Sequence, residues 1–184
     1  AVVCAGLGRQ DRDGGVRCPR QCLCEGEGYL RGARLAAEQN DTARLVLEEL
    51  SLDVAGFRKG ALTIEEDLVK RDFTINSLAV LLDDLVQPDR EVEIVDPLGG
   101  FTDLKLQVVR ACPGCFDDDP LRLLRAYRFG AQLDFMIEDH TGEQIRAKSA
   151  LIETVAAERI SFELELIMAT NRSYRALKAM QENE

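Results

Sequence analysis

Asp117-Asp118-Asp119-Pro120-Leu121-Arg122-Leu123-Leu124-Arg125-Ala126-Tyr127-Arg128-Phe129 is the stretch on which the rest of this chain is organised. An acidic start, a proline just inside it and an apolar run behind it spell a helix N-terminus. At about 100° per residue, Leu123, Leu124, Tyr127 and Ala131 share one face. Asp119, Arg122, Arg125 and Arg128 wind around the other side at intervals of three. A plain surface helix alternates its charges, with Glu one turn ahead of Lys. Here a carboxylate precedes a run of arginines. Such a stripe suits a polyanionic ligand with a polar edge, and it also suits an ordinary solvated basic face.

Outward from that stretch the pattern changes character. Downstream it is helical to the end, with segments expected at about 118–133, 139–150 and 156–170 and a frayed tail to Glu184. Upstream, Ala43–Leu47 and Ser51–Arg58 read as the two strands of a hairpin. Thr63 and Glu66 form a capping box that opens a helix expected to run to about Leu82. Glu91–Val95 alternates as a strand does, Gly99-Gly100 reads as a turn, and Leu106–Arg110 as another short extended piece. Strands mixed with a helix, then helices alone, imply two units with a boundary near 111–117. Residues 1–39 show neither period for long and are expected to be aberrant or disordered.

With 46% apolar and 30% charged residues in 184, the composition is that of a globular chain able to build a core. No apolar run approaches the roughly 18 residues of a membrane span, and the front has no basic-then-apolar leader. A formal charge of −10 argues against wholesale nonspecific binding of nucleic acid, so an RNA-binding role needs locally concentrated arginines. Cys4, Cys18, Cys22 and Cys24 crowd the front, and Cys112-Pro113-Gly114-Cys115 forms a CxxC pair far from them. That spacing does not match paired zinc units, and reduced thiols are the expectation. His140, the single histidine, has no nucleophile spaced to work with it and reads as a loop residue near a helix start.

Four stretches together resemble one family. Asp67-Leu68-Val69-Lys70-Arg71-Asp72-Phe73-Thr74-Ile75-Asn76-Ser77-Leu78-Ala79 comes first, then Asp96-Pro97-Leu98-Gly99-Gly100-Phe101-Thr102-Asp103-Leu104 with Arg110. The opening stretch follows, and Glu158-Arg159-Ile160-Ser161-Phe162-Glu163-Leu164 closes the series. In this order and spacing they resemble the tRNA nucleotidyltransferase / poly(A) polymerase family, of the bacterial CCA-adding type, over about residues 40–180. The resemblance implies an α+β fold: a mixed-sheet nucleotidyltransferase head of the polymerase-β-like type over 40–113, then an all-α neck over 114–184. Family members carry further helical body and tail domains, which are expected to be absent here. The chain then reads as truncated, misread at its front, or one piece of something larger.

The resemblance also implies a reaction: a tRNA 3′-hydroxyl attacks the α-phosphate of ATP or CTP and expels pyrophosphate, in the cytoplasm, with Mg²⁺ held by carboxylates. The family's D-x-D metal pair follows a G-G-x-V-R-D stretch. Here Gly14-Gly15-Val16-Arg17-Cys18 only echoes it, and Asp11-Arg12-Asp13 precedes the glycines, so the metal ligands are unassigned. Asp53 matches an additional catalytic carboxylate of the head. Arg71, Asp72, Asn76, Arg125 and Arg128 match positions that contact the nucleotide's sugar and phosphates, guanidinium forks being suited to phosphate oxygens. The alternative for Asp72 is a salt bridge to Lys70 or a neighbour that serves only to orient Arg71. Asp118, where the family usually has Glu, and Glu158, Arg159 and Glu163 are expected to support the site.

Base choice follows from chemistry. Cytosine and adenine each offer an exocyclic amino donor beside a ring-nitrogen acceptor. Asp119 and Arg122, one helix turn apart, can accept from the first and donate to the second. Uracil and guanine present a carbonyl instead of the amino group and leave a partner unpaired, at a cost of roughly 1–3 kcal/mol. With the resemblance, the leading expectation is template-independent addition of C and/or A to tRNA 3′ ends, with CC-adding and A-adding specialisation both open. A poly(A) polymerase of the same family, and a nucleotide-binding fragment without catalysis, remain open as alternatives.

Overall fold

The computed structural model describes residues 3–4, 34–39, 42–47, 50–58, 60–81, 84 and 91–182, with the backbone alone for 3–4, 34–39, 42–47 and 50–54. These fall into two compact units, one built from residues 2–64 and 80–93, the other from 65–79 and 94–184.

In the first unit Val3–Cys4 is a two-residue strand, β1. After it, β2 (Arg34–Gln39), β3 (Thr42–Leu47) and β4 (Leu50–Ala55) form an antiparallel sheet in that order. β3 pairs with β4 from Thr42↔Ala55 to Leu47↔Leu50, which is the expected hairpin, ending three residues earlier than Arg58. β2 corrects the expectation that everything before residue 40 is irregular. Its period-2 pattern is hidden because the register slips between Leu35 and Ala37, a bulge that puts the alternation out of phase.

The second unit is built around α4 (Arg122–Leu133). Its apolar face, with Leu123, Ala126, Tyr127 and Ala131 buried, packs against α6 (Ala157–Met168) and α7 (Ser173–Glu182). The expected helix at 118–133 is in fact two. A short α3 (Cys115–Asp118) ends at Asp119, whose backbone is extended at φ −151° and ψ 102°. Proline disfavours the helical region for the residue before it, so Pro120 forces that break. Leu133 is followed by Asp134 at φ 61°, and the chain returns to β8 (Met136–Ile137), which lies parallel to β7 (Val108–Val109). Thus α4 is the crossover of a parallel pair, which fixes the helix over the strands.

The helix expected from 63 to 82 is the largest correction. α1 begins at Ile64, next to the expected cap Thr63, but stops at Val69. Phe73 then bridges Ala111, Thr74 N–H donates to Arg110 O at 3.0 Å, and Cys112 N–H donates to Asp72 O at 3.0 Å. Burial of Phe73 in the core and these long-range backbone bonds outweigh local helix propensity. A single 3₁₀ turn (Thr74–Asn76) and β5 (Ala79–Val80) follow. The strand expected at 91–95 is limited to β6 (Ile94–Val95).

Gly99, at φ 73°, turns the chain not into a loop but into α2 (Gly100–Leu106), a helix that the pattern of residues had not announced. Asp96 caps it, its carboxylate accepting from Gly100 N–H at 2.7 Å and Phe101 N–H at 3.0 Å. A Cβ on Gly100 would stand 2.0 Å from Thr74 O, so only glycine lets α2 approach the 3₁₀ turn. α5 (Asp139–Lys148) is capped by Glu138 and gives way to a 3₁₀ turn (Ser149–Thr154). His140 sits in the first turn of α5 and contacts Glu143 at 3.4 Å. The tail expected to fray is instead the ordered helix α7.

Candidate functional site

After the break at Phe73, Asp72 and Phe73 meet α4 through Arg125 and Phe129, whereas Thr74 Oγ1 donates to Asp103 of α2 at 2.7 Å, all within the second unit. Asp72 is the hub. Its Oδ1 accepts from Phe73 N–H at 2.9 Å and from Asn76 Nδ2 at 3.1 Å, and its Oδ2 accepts from Arg125 Nε at 3.1 Å and from Arg125 Nη2. Four donors fill the roughly four acceptor positions of a carboxylate. Its ion-pair partner is Arg125 and not Lys70, and it is Asp67, not Asp72, that pairs with Arg71. Burial alone would raise the Asp72 pKa; the Arg125 charge and the hydrogen bonds from Arg125, Asn76 and Phe73 outweigh it and hold the carboxyl below its ordinary value.

Behind this hub lies Glu163, buried on α6. Glu163 accepts from Arg128 Nε at 2.5 Å and stands 3.6 Å from Arg125 Nη1. Arg128 is itself buried. Its Nη1 donates to Gln132 at 2.8 Å, and its guanidinium lies 4.3 Å from the centre of the Phe129 ring, a cation–π contact. Phe129 in turn meets Phe73 edge to face at 5.5 Å. Arg125 and Arg128 are thus folded into an ion-pair network and do not form a loose basic face.

Asp119 and Arg122 are held independently. Arg122 N–H donates to Asp119 O at 3.0 Å, closing one turn, though Asp119 stands outside α4 and not on it as expected. Asp119 Oδ1 accepts from Leu121 N–H at 3.2 Å, an Asx turn, and Oδ2 accepts from Arg159 Nη2 at 2.8 Å. Arg122 donates to three backbone carbonyls: Arg71 O at 3.3 Å, Cys115 O at 3.2 Å and Lys70 O at 3.4 Å. All three are neutral, so among the described residues no carboxylate offsets its charge. One carboxylate and one uncompensated guanidinium, each fixed from behind, lie on the same turn.

Arg71 donates Nε and Nη2 to Asp67 Oδ2 at 3.3 and 3.0 Å. Sequence reasoning passed over Asp67, although its i,i+4 spacing to Arg71 was visible. Asp118 and Glu158 are exposed at the ends of α3 and α6. Cys112 and Cys115 are free and buried in the core; burial pushes their thiols up to about 11 and about 12. Asp53 lies on β4 of the first unit, opposite Arg44 in register. Asp11 and Asp13, and the glycines after them, lie outside the described residues. Among the described residues no group of three or more His, Cys, Asp or Glu could hold a metal ion, so the expected Mg²⁺ finds no fitting ligand set there.

Two family models match in tandem: the poly A polymerase head domain over residues 29–110, and the probable RNA- and SrmB-binding site of polymerase A over 134–184. A "CC-adding tRNA nucleotidyltransferase" from Geobacter sulfurreducens is 48% identical over 132 residues, 69% of this chain and 28% of that protein. The chain belongs to the tRNA nucleotidyltransferase / poly(A) polymerase family. Solved CCA-adding enzymes share its fold. One in complex with CTP superposes with a TM-score of 0.73 at 33% identity, covering 84% of this chain and 38% of that one. One with ATP gives 0.72 at 33% identity, covering 85% and 37%. This family member therefore spans about a third of the length of the relatives it matches. No helix among its described residues is long and apolar enough to cross a membrane.

Proposed function

We propose that this chain supplies the nucleotide-selecting part of a tRNA nucleotidyltransferase that adds C and/or A to tRNA 3′ ends. Residues 40–113 would correspond to head sequence and 114–184 to the neck. The observation that carries the reading is the fixed pair of Asp119 and Arg122. Asp119, steadied by Leu121 N–H and Arg159, is suited to accept from the amino group of cytosine or adenine. Arg122, clamped by three carbonyls, is suited to donate to the adjacent ring nitrogen. The names of the relatives, CC-adding and CCA-adding, support that substrate class.

Within this reading Arg71 and Arg125 face the triphosphate, Asp72 and Glu163 hold Arg125 in place, and Asn76 steadies Asp72. Arg128 steadies Glu163 from inside the core. Asp118 and Glu158 are peripheral supports. Asp53 belongs with the catalytic carboxylates of the head. Mg²⁺ would belong to that head chemistry and not to Asp72, whose acceptor positions are all taken. The residues around α4 bind, orient and select the nucleotide before transfer. A poly(A) polymerase would favour ATP over CTP at this pair, whereas a pair that reads only the amino group and ring nitrogen accepts both.

The test is the change in melting temperature with CTP, ATP, UTP and GTP, for the parent chain and Asp119→Ala. A ligand that binds only the folded chain, at 100 times its Kd, adds about 2.7 kcal/mol of stability. Stabilisation by CTP and ATP alone, lost in Asp119→Ala, is the expected result. An equal response to all four nucleotides, or none, overturns the proposal.

A further inference from the structure

Arg71 is gripped from two directions, and the grip leaves one edge of its guanidinium open. Asp67, in the last turn of α1, is 3% exposed, and its Oδ2 takes both Nε and Nη2 of Arg71. The backbone carbonyl of Arg71 accepts from Arg122 Nη1 at 3.3 Å. The Arg71 side chain is 13% exposed, and its Nη1 has no partner among the described residues. A guanidinium offers five N–H donors in a rigid fork, so fixing the Nε edge fixes where Nη1 points.

We propose that Asp67 is a positioning residue for the nucleotide's phosphates: it spends no contact on the ligand but sets Arg71 so that Nη1 meets a phosphate oxygen end-on. The inference rests on reading Arg71 as a phosphate contact. Charge and geometry oppose each other here, and that makes the role measurable. A carboxylate beside a triphosphate site repels the ligand, so if Asp67 acted only through its charge, removing it would tighten binding. If it acts by holding Arg71, removing it weakens binding, and only for ligands that carry phosphates.

The experiment is calorimetric titration of the full chain and of Asp67→Asn with CTP and with cytidine. The expected result is a loss of about tenfold in CTP affinity, the worth of one charged hydrogen bond, with cytidine unchanged. In the cycle with Arg71→Ala, the double variant is expected to bind CTP as Arg71→Ala does. Unchanged or tighter CTP binding in Asp67→Asn overturns the role, as does an equal loss for CTP and cytidine. Asp67→Ser carries the same comparison if Asp67→Asn does not fold. Failure of the underlying readings looks different. An Arg71→Ala chain that binds CTP normally removes Arg71 from the phosphates and the role of Asp67 with it. A parent chain that binds CTP and UTP equally sinks the base-reading proposal while leaving the CTP-to-cytidine ratio to judge Asp67.

Discussion

Arg125 and Asp72, 53 positions apart in sequence, meet through two nitrogens on one carboxylate oxygen. The pair joins the stretch that leaves α1 to the helix that carries the arginine stripe. Asp72 is buried, and every position on its carboxylate is taken. Replacing it with Ala strands Arg125 beside Glu163 alone and deprives Asn76 and Phe73 N–H of their acceptor. Urea unfolding of Asp72→Ala is expected to show a loss of about 2–3 kcal/mol, within the range for removing one partner of a hydrogen-bonded charge. A midpoint equal to the parent's would mean that the pair is not an anchor.

The same carboxyl sets a pH dependence. Its pKa in the folded chain lies below the ordinary value of 3.8 because the bonds from Arg125, Asn76 and Phe73 outweigh burial. The folded state therefore binds its proton less readily than the unfolded one. The resulting stability is fully present above about pH 4 and is lost as pH falls below it. Glu138, also held low against burial by Thr141 and Arg110, adds in the same direction. Unfolding free energies between pH 5 and 3 should fall more steeply for the parent chain than for Asp72→Asn. Parallel slopes would remove Asp72 as their source.

Gly100 and Gly142 separate two meanings of glycine. A Cβ at Gly100 meets Thr74 O at 2.0 Å, whereas one at Gly142, inside α5, meets nothing within 4 Å. Gly100→Ala is expected to cost roughly 2 kcal/mol or more by pushing α2 off the 3₁₀ turn. Gly142→Ala is expected to raise stability by about 0.5–1 kcal/mol through helix propensity. Thermal melts of the two variants give opposite signs if the close approach is real.

Arg122→Lys tests the fork. Lysine keeps the charge but cannot reach three carbonyls in one plane and still present a donor edge. The variant is expected to bind nucleotides but lose its preference for CTP and ATP over UTP, read as equal melting shifts. Retained preference would mean that charge, not the fork, selects the base.

Much of this arrangement was visible in the residues themselves. The helix-period signal placed α4, α5 and α6 within a few residues, and the hairpin of β3 and β4 came from its alternation. Asp119 and Arg122 were legible because they are close in sequence. The stretch after Val69 was not, because its fate is decided by Arg110, Ala111 and Cys112, which pair with it from far along the chain. α2 was hidden by its two glycines, which look like a turn until Asp96 caps them. The partners of Asp72 and Glu163 were out of reach for the same reason as the helix break: charge partners across a fold leave no local pattern. Asp67 was legible and passed over, since an i,i+4 pair is usually only a surface ion pair.

The bridge between Phe73 and Ala111 also governs the order in which this molecule can assemble. Bringing those two segments together closes a long loop, and that entropy must be met before the long-range contacts between Asp72 and α4 can form. Glu163, which completes the cluster, enters still later in the chain. Arg125 and Arg128 therefore precede by more than thirty positions the carboxylate of α6 that pairs with them, and α4, too short to be stable alone, gains its ion pairs only when α6 packs on it. In the second unit the stitch at Phe73 adds a long-range pairing to a mostly helical core and moves its folding toward the slower, topology-limited class.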